Sequence, residues 1–559
     1  MKESIAIAQQ APMKHMRHFM AELGLEEEEF EFYGKYTGKI RLRVLDKLSS
    51  RPDGKLILVT AMTPTPAGEG KTLTSVGLGQ GLNRLGRDTI ITLREPSLGP
   101  VFGIKGGATG GGWSQVIPME RINLHFNGDM HAVSTAHNLL AAMLDNHIFK
   151  GNELDIDVTQ PLWNRAMDMN DRALRRIVVG LGGRVNGIPR ESGFLITAAS
   201  EIMAILALAQ SRADLKKRLG RIVVGYTRSG EAVRARDLGA HKAMAVTLNE
   251  AIMPNLVQTL EHVPVLMHAG PFANIAHGTS SVLANRIASK LSDYVVTEAG
   301  FGADLGAEKF FDIVCRSSGL WPSAVVLVAT AKALKFHGGV SPDQDKLAQP
   351  NADALKKGLG NLQRHIENMK LFGMPVVVAV NRFEHDTDAE VTMIRDLCRE
   401  MDVECAAHEA FAKGGKGTLE LAEKTAELAD SVEEPDQVTL YDLEQSMEKK
   451  IRAVATRMYG ATDVYFEKTA RRNLERFLSL GYGDLPICIA KTQSSLSDNP
   501  KLQGVPGDFT LTVTDVQLSA GAGFLVIVCG NMMLMPGLPK EPAAVHMDVD
   551  EDGTITGLF

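Results

Sequence analysis

At residues 55–72 the chain reads Lys55-Leu56-Ile57-Leu58-Val59-Thr60 and then, after four further residues, Thr65-Pro66-Ala67-Gly68-Glu69-Gly70-Lys71-Thr72. The first run is apolar and rich in branched side chains, which predicts a buried β-strand. The two glycines that follow allow the backbone to turn its amides inward, and the Lys-Thr pair opens a helix. This order of strand, loop and helix is typical of a phosphate-binding loop, in which amide groups and a helix N-terminus face the oxygens of a nucleotide.

The residue types in this loop fit the binding of ATP with Mg²⁺. Lys71 adds a cation beside the phosphates, and Thr72 offers its hydroxyl to the metal. The loop departs from the usual G-x-x-x-x-G-K-[ST] pattern at Thr65, where the first glycine is expected. The alternative is a surface turn ahead of a helix, but the preceding strand favours a phosphate site. We therefore predict that all of Thr65–Thr72 binds ATP and that Lys71 is catalytic.

A second apolar run, Arg87–Leu93, follows the predicted helix. We expect this run to form a parallel strand next to the first one, connected to it by a right-handed crossover. The carboxyl ends of the two strands then lie at the same edge of the sheet, where Arg94 and Glu95 follow directly. Since an arginine fork suits a second anion or a phosphoryl group in transfer, Arg94 is a candidate catalytic residue.

An acidic residue follows a third predicted strand, Tyr294–Thr297. A carboxylate at the carboxyl end of a strand, with glycines after it, is how nucleotide-binding enzymes hold Mg²⁺. Both Glu298 and Asp304 fit this description, and a helix cap with turn glycines is the alternative. We take Glu298, together with Thr72, as the tentative metal ligands.

A glycine-rich segment runs from Gly103 to Gly112 and is followed by Trp113. Flexible linkers seldom contain Ile, Lys and Trp, all of which occur here. The segment is therefore interpreted as a loop whose backbone approaches a ligand closely.

Several of these stretches together resemble one known family, formate–tetrahydrofolate ligase, also called 10-formyltetrahydrofolate synthetase. The resemblance is carried by residues 63–72, by Arg94-Glu95-Pro96-Ser97-Leu98-Gly99-Pro100, by the glycine-rich segment and by Gly128-Asp129-Met130-His131. It extends over nearly the whole chain, and the family also has threonine at the position of Thr65.

The resemblance implies that the chain ligates formate to tetrahydrofolate at the expense of ATP. The products would be 10-formyltetrahydrofolate, ADP and phosphate, and formyl phosphate would be the intermediate. The family also implies ATP with Mg²⁺, tetrahydrofolate as substrate, a monovalent cation (K⁺ or NH₄⁺) as a further candidate, and a homotetramer.

The resemblance assigns further residues to the site. It implies a formyl phosphate site at Arg94, Glu95, Gly106 and Gly107, and it adds Asp129 to the catalytic residues. It also implies that two aromatic side chains stack on the flat pterin of the folate, namely Phe383 and Phe411.

The departures of the sequence from the family pattern include Thr109, Trp113, Lys332, Phe411 and Ser494. Lys332 replaces the usual arginine, keeping the charge but not the fork. Phe411 replaces the usual tryptophan, keeping a stacking surface but no indole N–H. Two alternatives therefore stay open: a related ligase that activates another carboxylate as an acyl phosphate, and a non-catalytic folate- or nucleotide-binding paralogue. The intact Lys71, Thr72 and Arg94 favour catalysis.

The rest of the chain alternates short apolar runs with helical stretches, which predicts an α/β fold of the P-loop type. We expect a doubly wound, mostly parallel sheet with smaller α/β additional domains. Residues 1–365 would bind the nucleotide and formyl phosphate, residues 366–455 would contact folate, and residues 456–559 would form a C-terminal α/β domain. The strands expected after residue 175 are Ile177–Val179, Ile222–Gly225, Val263–Met267, Tyr294–Thr297, Ala324–Ala329 and Val376–Val380.

Composition excludes several classes of function. The 559 residues carry a net charge of −7, whereas a nucleic-acid-binding protein is expected to be basic. No window is apolar enough to span a bilayer, and the N-terminus does not resemble a signal peptide. The five cysteines never occur in C-x-x-C spacing, which favours a reducing compartment. We expect a soluble, cytoplasmic enzyme.

Overall fold

A mostly parallel sheet lies at the centre of the computed structural model, which describes residues 3–103, 107–530 and 532–558. Within these residues the sheet has seven parallel strands, and their order across the sheet is β3-β2-β4-β1-β5-β6-β7. In chain order they are β1 (Lys55–Ala61), β2 (Thr89–Leu93), β3 (Pro264–Met267), β4 (Tyr294–Glu298), β5 (Ala324–Ala329), β6 (Val376–Asn381) and β7 (Glu404–His408).

Antiparallel strands extend the sheet beyond β3. The strand Asn255–Thr259 pairs with β3 and is followed by Gly38–Ile40 and Phe30–Phe32. The short strands Ser114–Ile117 and Gly110–Gly111 branch from the same side. The predicted α/β fold with a large, mostly parallel sheet is confirmed.

The central strands are apolar throughout because both faces of the sheet are covered. Leu56 and Leu58 pack into the core on one face, whereas Ile57 and Val59 pack into the core on the other. This alternation explains why the strands read as continuous apolar runs and do not alternate with polar residues.

The longer helices that accompany the sheet include the four used below: α1 (Lys71–Arg84), α2 (Asp129–Phe149), α3 (Glu201–Leu208) and α4 (Ala331–His337). The others are Ser4–Gln10, Met16–Glu22, Arg212–Arg221, His241–Thr247, Val282–Leu291, Ala352–Lys370, Asp388–Glu400, Leu419–Asp430, Met447–Val454 and Lys468–Ser479.

Helix α1 packs unusually close to its neighbours on two sides. A Cβ atom at Gly79 would lie 2.5 Å from Ile91 of β2, and one at Gly77 would lie 2.7 Å from the Cβ of Ala410. The glycines of this helix therefore let it pack directly between the sheet and the segment around residue 410.

The order of the strands corrects one expectation. We expected β1 and β2 to be neighbours, but β4 lies between them and pairs in parallel with both. The crossover through α1 leaves a gap of one strand, and a segment about 200 residues later in the chain fills it. Local sequence contains no information on such an insertion, because the inserted strand is chosen by burial of its apolar side chains in the sheet.

Two of the six strands expected after residue 175 do not join the central sheet. Ile177–Val179 pairs with Arg190–Ser192, and Val223–Tyr226 pairs with Ala232–Arg234, both antiparallel. Short apolar runs have the same appearance in a hairpin and in a buried parallel strand, so the sequence pattern could not separate them.

Smaller sheets follow in the C-terminal part of the chain. Ile487–Ala490, Phe524–Val528 and Asp515–Ser519 form a three-stranded sheet, and Asp463–Phe466 pairs with Thr510–Val513. The predicted division at residues 365 and 455 stays a prediction. The strands β6 and β7 belong to the same sheet as β1, so the sheet continues past residue 365.

A half-buried carboxyl group links the C-terminal sheet to α3. Glu201 accepts hydrogen bonds from the backbone N–H groups of Gly521 (2.6 Å) and Ala522 (3.2 Å). Burial raises the pKa of Glu201 from 4.5 to about 7, although the two N–H donors act in the opposite direction.

This pKa predicts how stability depends on pH. Because the pKa in the folded state is raised, the contribution of Glu201 to stability is fully present below pH 4.5 and is lost as pH rises through about 7. In Glu201→Gln this titration is absent, so stability should fall less steeply between these pH values than in the wild type. Urea unfolding at fixed protein concentration across this range measures the difference, and equal slopes would contradict the prediction.

Candidate active site

The loop between β1 and α1 is fixed by contacts to the ends of two other strands. The Glu69 side chain is buried and accepts hydrogen bonds from the Thr65 N–H (2.6 Å) and from the Thr330 hydroxyl just after β5. The side-chain amide of Asn381, the last residue of β6, donates to the Glu69 carbonyl at 3.1 Å. The loop is thereby held in one conformation by the sheet itself.

Glycine is required where this loop enters the helix. Gly70 has a φ of 74°, in the left-handed region, and a Cβ atom there would lie 2.6 Å from the Asn381 side-chain nitrogen. The loop can approach β6 this closely only because residue 70 has no side chain.

Four of the predicted residues lie together at the carboxyl edge of the sheet. The Thr72 hydroxyl donates to one carboxylate oxygen of Glu298 at 2.8 Å, and the Arg94 guanidinium lies 3.7 Å from the other. Burial lowers the pKa of Lys71, while the negative charge of Glu298 raises it and the nearby Arg94 lowers it. Glu298 thus lies between the hydroxyl of the loop and the arginine from β2.

The cations at this edge have donors available for a ligand. The Lys71 carbonyl accepts a hydrogen bond from the Ser75 hydroxyl, but the Lys71 ammonium makes no hydrogen bond or ion pair within residues 3–103, 107–530 and 532–558. Arg94 donates from one terminal nitrogen to the Pro271 carbonyl (3.2 Å), but its buried Nε has no hydrogen-bond partner among those residues. A Cβ atom at Gly300 would lie 3.1 Å from both terminal nitrogens, so the guanidinium is packed directly against backbone.

Two other predicted residues form a separate buried cluster. Asp129, the first residue of α2, pairs with Lys39 at 2.8 Å. The Asn255 side-chain amide donates both to Asp129 (2.7 Å) and to Glu95 (2.6 Å). Burial and the charge of Asp129 raise the pKa of Glu95 well above its ordinary value, so the charged form of this carboxyl group is disfavoured.

A cavity of about 620 Å³ opens beside this cluster. Glu95, Asp129 and His131 line it together with apolar side chains such as Leu98 and Met130. The cluster therefore borders a separate cavity, although its member Glu95 directly follows Arg94 in the chain.

The glycine-rich segment is described from Gly107 onward, and the predicted Gly106 lies outside the described residues. A Cβ atom at Gly107 would lie 2.0 Å from the Asn123 side chain, so this position needs glycine for packing. Farther along, the backbone N–H of Trp113 donates to the Phe411 carbonyl at 2.9 Å, and Gly111 packs against the Phe411 ring. Phe411 is 37% exposed.

Phe383 lies at a different place, in a cavity of about 230 Å³ beside the loop. The cavity is also lined by Gly68, Glu69, Gly70 and Lys332. The Lys332 ammonium lies over the Phe383 ring, 4.3 Å from its centre. The two aromatic residues assigned to folate thus lie against different surroundings, Phe383 beside the loop and Phe411 beside the glycine turn.

The chain matches one protein family over nearly its whole length. The family model of formate–tetrahydrofolate ligase matches residues 2–559. The chain belongs to the formate–tetrahydrofolate ligase family. It is therefore a ligase that uses ATP to join formate to tetrahydrofolate, and the resemblance recognised in the sequence is confirmed.

Two further observations concern metal and membrane. Among the described residues, no group of three or more His, Cys, Asp or Glu side chains could hold a metal ion by itself. The helices in the described part of this ligase are all too short or too polar to cross a membrane.

Sequence analysis missed three residues that support the site. Lys39 and Asn255 carry the buried cluster, and Asn381 holds the loop. Asn381 could have been found by the signal that selected Glu298, a polar residue at the carboxyl end of a buried strand. Lys39 had a weaker signal, a lysine between Gly38 and Ile40 in a short strand.

The buried cluster predicts a large effect of removing its cation. Lys39→Met leaves Asp129 buried without a countercharge, which should lower the free energy of unfolding by about 3–5 kcal/mol. The double variant Lys39→Met/Asp129→Asn removes both charges and should recover most of that loss. Urea unfolding of the three proteins tests this, and a Lys39→Met variant as stable as wild type would contradict it.

Proposed function

We propose that this ligase works through formyl phosphate at the carboxyl edge of the sheet, where Lys71, Thr72, Arg94 and Glu298 meet. The observation that carries the proposal is the pair of cations beside Glu298. Lys71 at the start of α1 interacts with its charge, and Arg94 at the end of β2 lies 3.7 Å from its carboxylate. Such an arrangement suits a phosphoryl group that is held in place while its bond to ADP breaks and its bond to formate forms.

In the first step a formate oxygen attacks the γ-phosphorus of ATP, and the bond between that phosphorus and the β,γ-bridging oxygen breaks. ADP leaves, and the product is formyl phosphate, a mixed anhydride. Lys71 and the backbone N–H groups at the start of α1 neutralise the charge that develops on the phosphates. Arg94 has unused N–H donors and holds the transferred phosphoryl oxygens through its fork.

In the second step the N10 amine of tetrahydrofolate attacks the formyl carbon. The bond from that carbon to the phosphate oxygen breaks, phosphate leaves with the electron pair, and N10 loses its proton. The enzyme supplies positioning and charge neutralisation and does not use a covalent nucleophile. Arg94 stabilises the phosphate as it leaves, so the same side chain serves both steps.

The oxygens of Thr72 and Glu298 fit Mg²⁺. They are hard donors 2.8 Å apart. Neighbouring ligands of an octahedral Mg²⁺ with bonds of about 2.1 Å lie about 3.0 Å apart, and this ion usually takes one or two protein oxygens with phosphates and water. When bound, the ion would neutralise phosphate charge. K⁺ or NH₄⁺ stays a further candidate, without an assigned site.

The remaining assignments are proposals that rest on the family. Phe383 and Phe411 are proposed to contact the pterin of folate, and Gly106 and Gly107 to approach formyl phosphate. The family assigns Asp129 to catalysis and Glu95 to the formyl phosphate site. We propose that both act through the buried cluster, which fixes the backbone next to Arg94. We also propose a homotetramer, the division into three domains and a cytoplasmic location, which is supported by five buried free thiols.

Formate-, ATP- and tetrahydrofolate-dependent turnover of the purified protein is the direct test. ADP release with longer carboxylates in place of formate would favour a ligase for another acid, and binding without turnover would favour a non-catalytic paralogue. Lys71→Ala is expected to abolish turnover, because the cation facing the phosphates is lost. Turnover at the wild-type rate in this variant would remove the 65–72 loop from the mechanism.

Arg94→Lys separates this mechanism from a simple ATPase. The substitution keeps the charge and loses the fork, so 10-formyltetrahydrofolate formation should fall at least about 100-fold while ATP affinity changes little. Arg84→Lys, near the far end of α1, is the matched control and should behave as wild type. Rate, nucleotide affinity and melting temperature are measured on one preparation. Lowered stability with near-normal turnover would make Arg94 a structural residue.

A further inference from the structure

The Arg94 guanidinium is packed against a backbone segment that lies far from it in sequence, residues 271–273. One terminal nitrogen of Arg94 donates to the Pro271 carbonyl at 3.2 Å. Both terminal nitrogens lie against Gly300, where a Cβ atom would be 3.1 Å from each of them. The same Cβ atom would lie 2.6 Å from the Cβ of Ala273. The guanidinium and the segment therefore pack on one backbone position.

A fully buried lysine that the mechanism above does not use holds this segment. The Lys309 ammonium donates to the Ala273 carbonyl at 2.9 Å. Ala273 is also closely packed, since a Cβ atom at Gly278 would lie 2.1 Å from its own Cβ. The segment that accepts the Arg94 hydrogen bond is thus fixed by one hydrogen bond from Lys309 and by close packing against two glycines, Gly278 and Gly300.

Lys309 belongs to an unusual helix, which runs over residues 303–318. The helix contains two π-helical stretches, Ala303–Ala307 and Phe310–Cys315, and π-helical turns are frequent at functional sites. A Cβ atom at Gly306 would lie 2.0 Å from the Gly300 carbonyl oxygen, so the helix packs directly on the backbone that supports Arg94. The helix therefore reaches the surroundings of Arg94 at two places, through Gly306 and through Lys309.

Stability does not account for the charge of Lys309. Within the described residues its ammonium forms no ion pair, whereas Lys335 of α4, which is also fully buried, pairs with Glu390 at 3.1 Å. The adjacent Glu308 carboxyl does not balance the charge in full, because burial and the charge of Asp312 raise the pKa of Glu308 well above its ordinary value. A buried charge without a full partner weakens the fold, so its benefit has to lie elsewhere.

We propose that Lys309 is a positioning residue for the transferred phosphoryl group, acting on the Arg94 fork through the backbone of residues 271–273. By holding the Ala273 carbonyl, it keeps the Pro271 carbonyl in place to accept from one terminal nitrogen of Arg94. That contact fixes the plane of the guanidinium and leaves Nε and the other terminal nitrogen for phosphoryl oxygens. This inference rests on the proposed function, in which Arg94 binds the transferred group.

The test uses Lys309→Met, which keeps the approximate length of the side chain and removes the hydrogen bond to Ala273. We expect kcat for 10-formyltetrahydrofolate formation to fall about 10- to 100-fold, since a displacement of about 1 Å at a catalytic group is enough for such a loss. The KM for ATP should change less than about twofold, because the 65–72 loop is held by other contacts.

A double-mutant cycle separates this role from a general loss of stability. If Lys309 acts through the fork, Lys309→Met should lower kcat less than about threefold in Arg94→Lys, which has already lost the fork. Independent effects would multiply, to at least about 1000-fold in the double variant. Melting temperatures and folded fractions are measured on the same preparations.

Lys450→Met is the matched control. Lys450 is also fully buried and donates to two backbone carbonyls, those of Gly483 (2.9 Å) and Leu485 (3.1 Å), in the C-terminal part of the chain. This substitution should lower the melting temperature and change kcat less than about twofold, both in the wild type and in Arg94→Lys.

Gly300→Ala perturbs the same contacts with Lys309 in place, and it carries the test if Lys309→Met does not fold. The added methyl group would lie 2.6 Å from the Cβ of Ala273 and 3.1 Å from both terminal nitrogens of Arg94, so the segment and the fork must shift together. We expect a fall in kcat of the same order and again little further loss in Arg94→Lys.

Three outcomes would overturn the inference. The first is a normal kcat in folded Lys309→Met, the second is a normal kcat in Gly300→Ala, and the third is a loss in either variant that multiplies with that of Arg94→Lys. Failure of the proposed function would appear differently, as absent formate-dependent turnover in the wild type or near-normal turnover in Arg94→Lys alone.

Discussion

The hydrogen bonds that hold Glu69 inside the 65–72 loop are the constraint on which the active site depends. The carboxylate joins the Thr65 amide to the Thr330 hydroxyl after β5, and Asn381 at the end of β6 holds the Glu69 carbonyl. The loop is thus shaped by the ends of strands beside β1, before any ligand is present. A loop preorganised in this way does not have to be ordered when phosphate binds, which preserves binding free energy.

The insertion of β4 between β1 and β2 determines what lies next to that loop. It brings Glu298 beside Thr72 and places Arg94 on the far side of the carboxylate. If β1 and β2 were direct neighbours, the end of β4 would not bring the Glu298 carboxylate to the two cations. The carboxylate lets two cations share one edge of the sheet, which is what a reaction between three anionic or polar substrates requires.

The charges of the site are divided between two regions. At the edge of the sheet, Lys71 and Arg94 keep donors unused, whereas at Asp129 the carboxylate is fully engaged with Lys39 and Asn255. Buried ion pairs contribute little net stability, but removing one partner destabilises the fold strongly. This cluster therefore supports the structure rigidly, and its charges are not available to a ligand. Glu95, whose pKa is raised by burial and by the charge of Asp129, belongs to the support, although it is adjacent in sequence to Arg94.

The sequence by itself determined the class of fold, the loop at Thr65–Thr72, and the choice of Arg94 and Glu298, because these depend on local patterns. An apolar run predicts a buried strand, glycines before Lys-Thr predict a phosphate loop, and a charged residue after a strand lies at the ligand-binding edge. Only the tertiary structure decided which strands are neighbours, that Ile177–Val179 forms a hairpin outside the sheet, and which side chains surround Phe383. These features arise from contacts between segments hundreds of residues apart, and each depends on which surfaces can be buried together. No local pattern of residues contains that information.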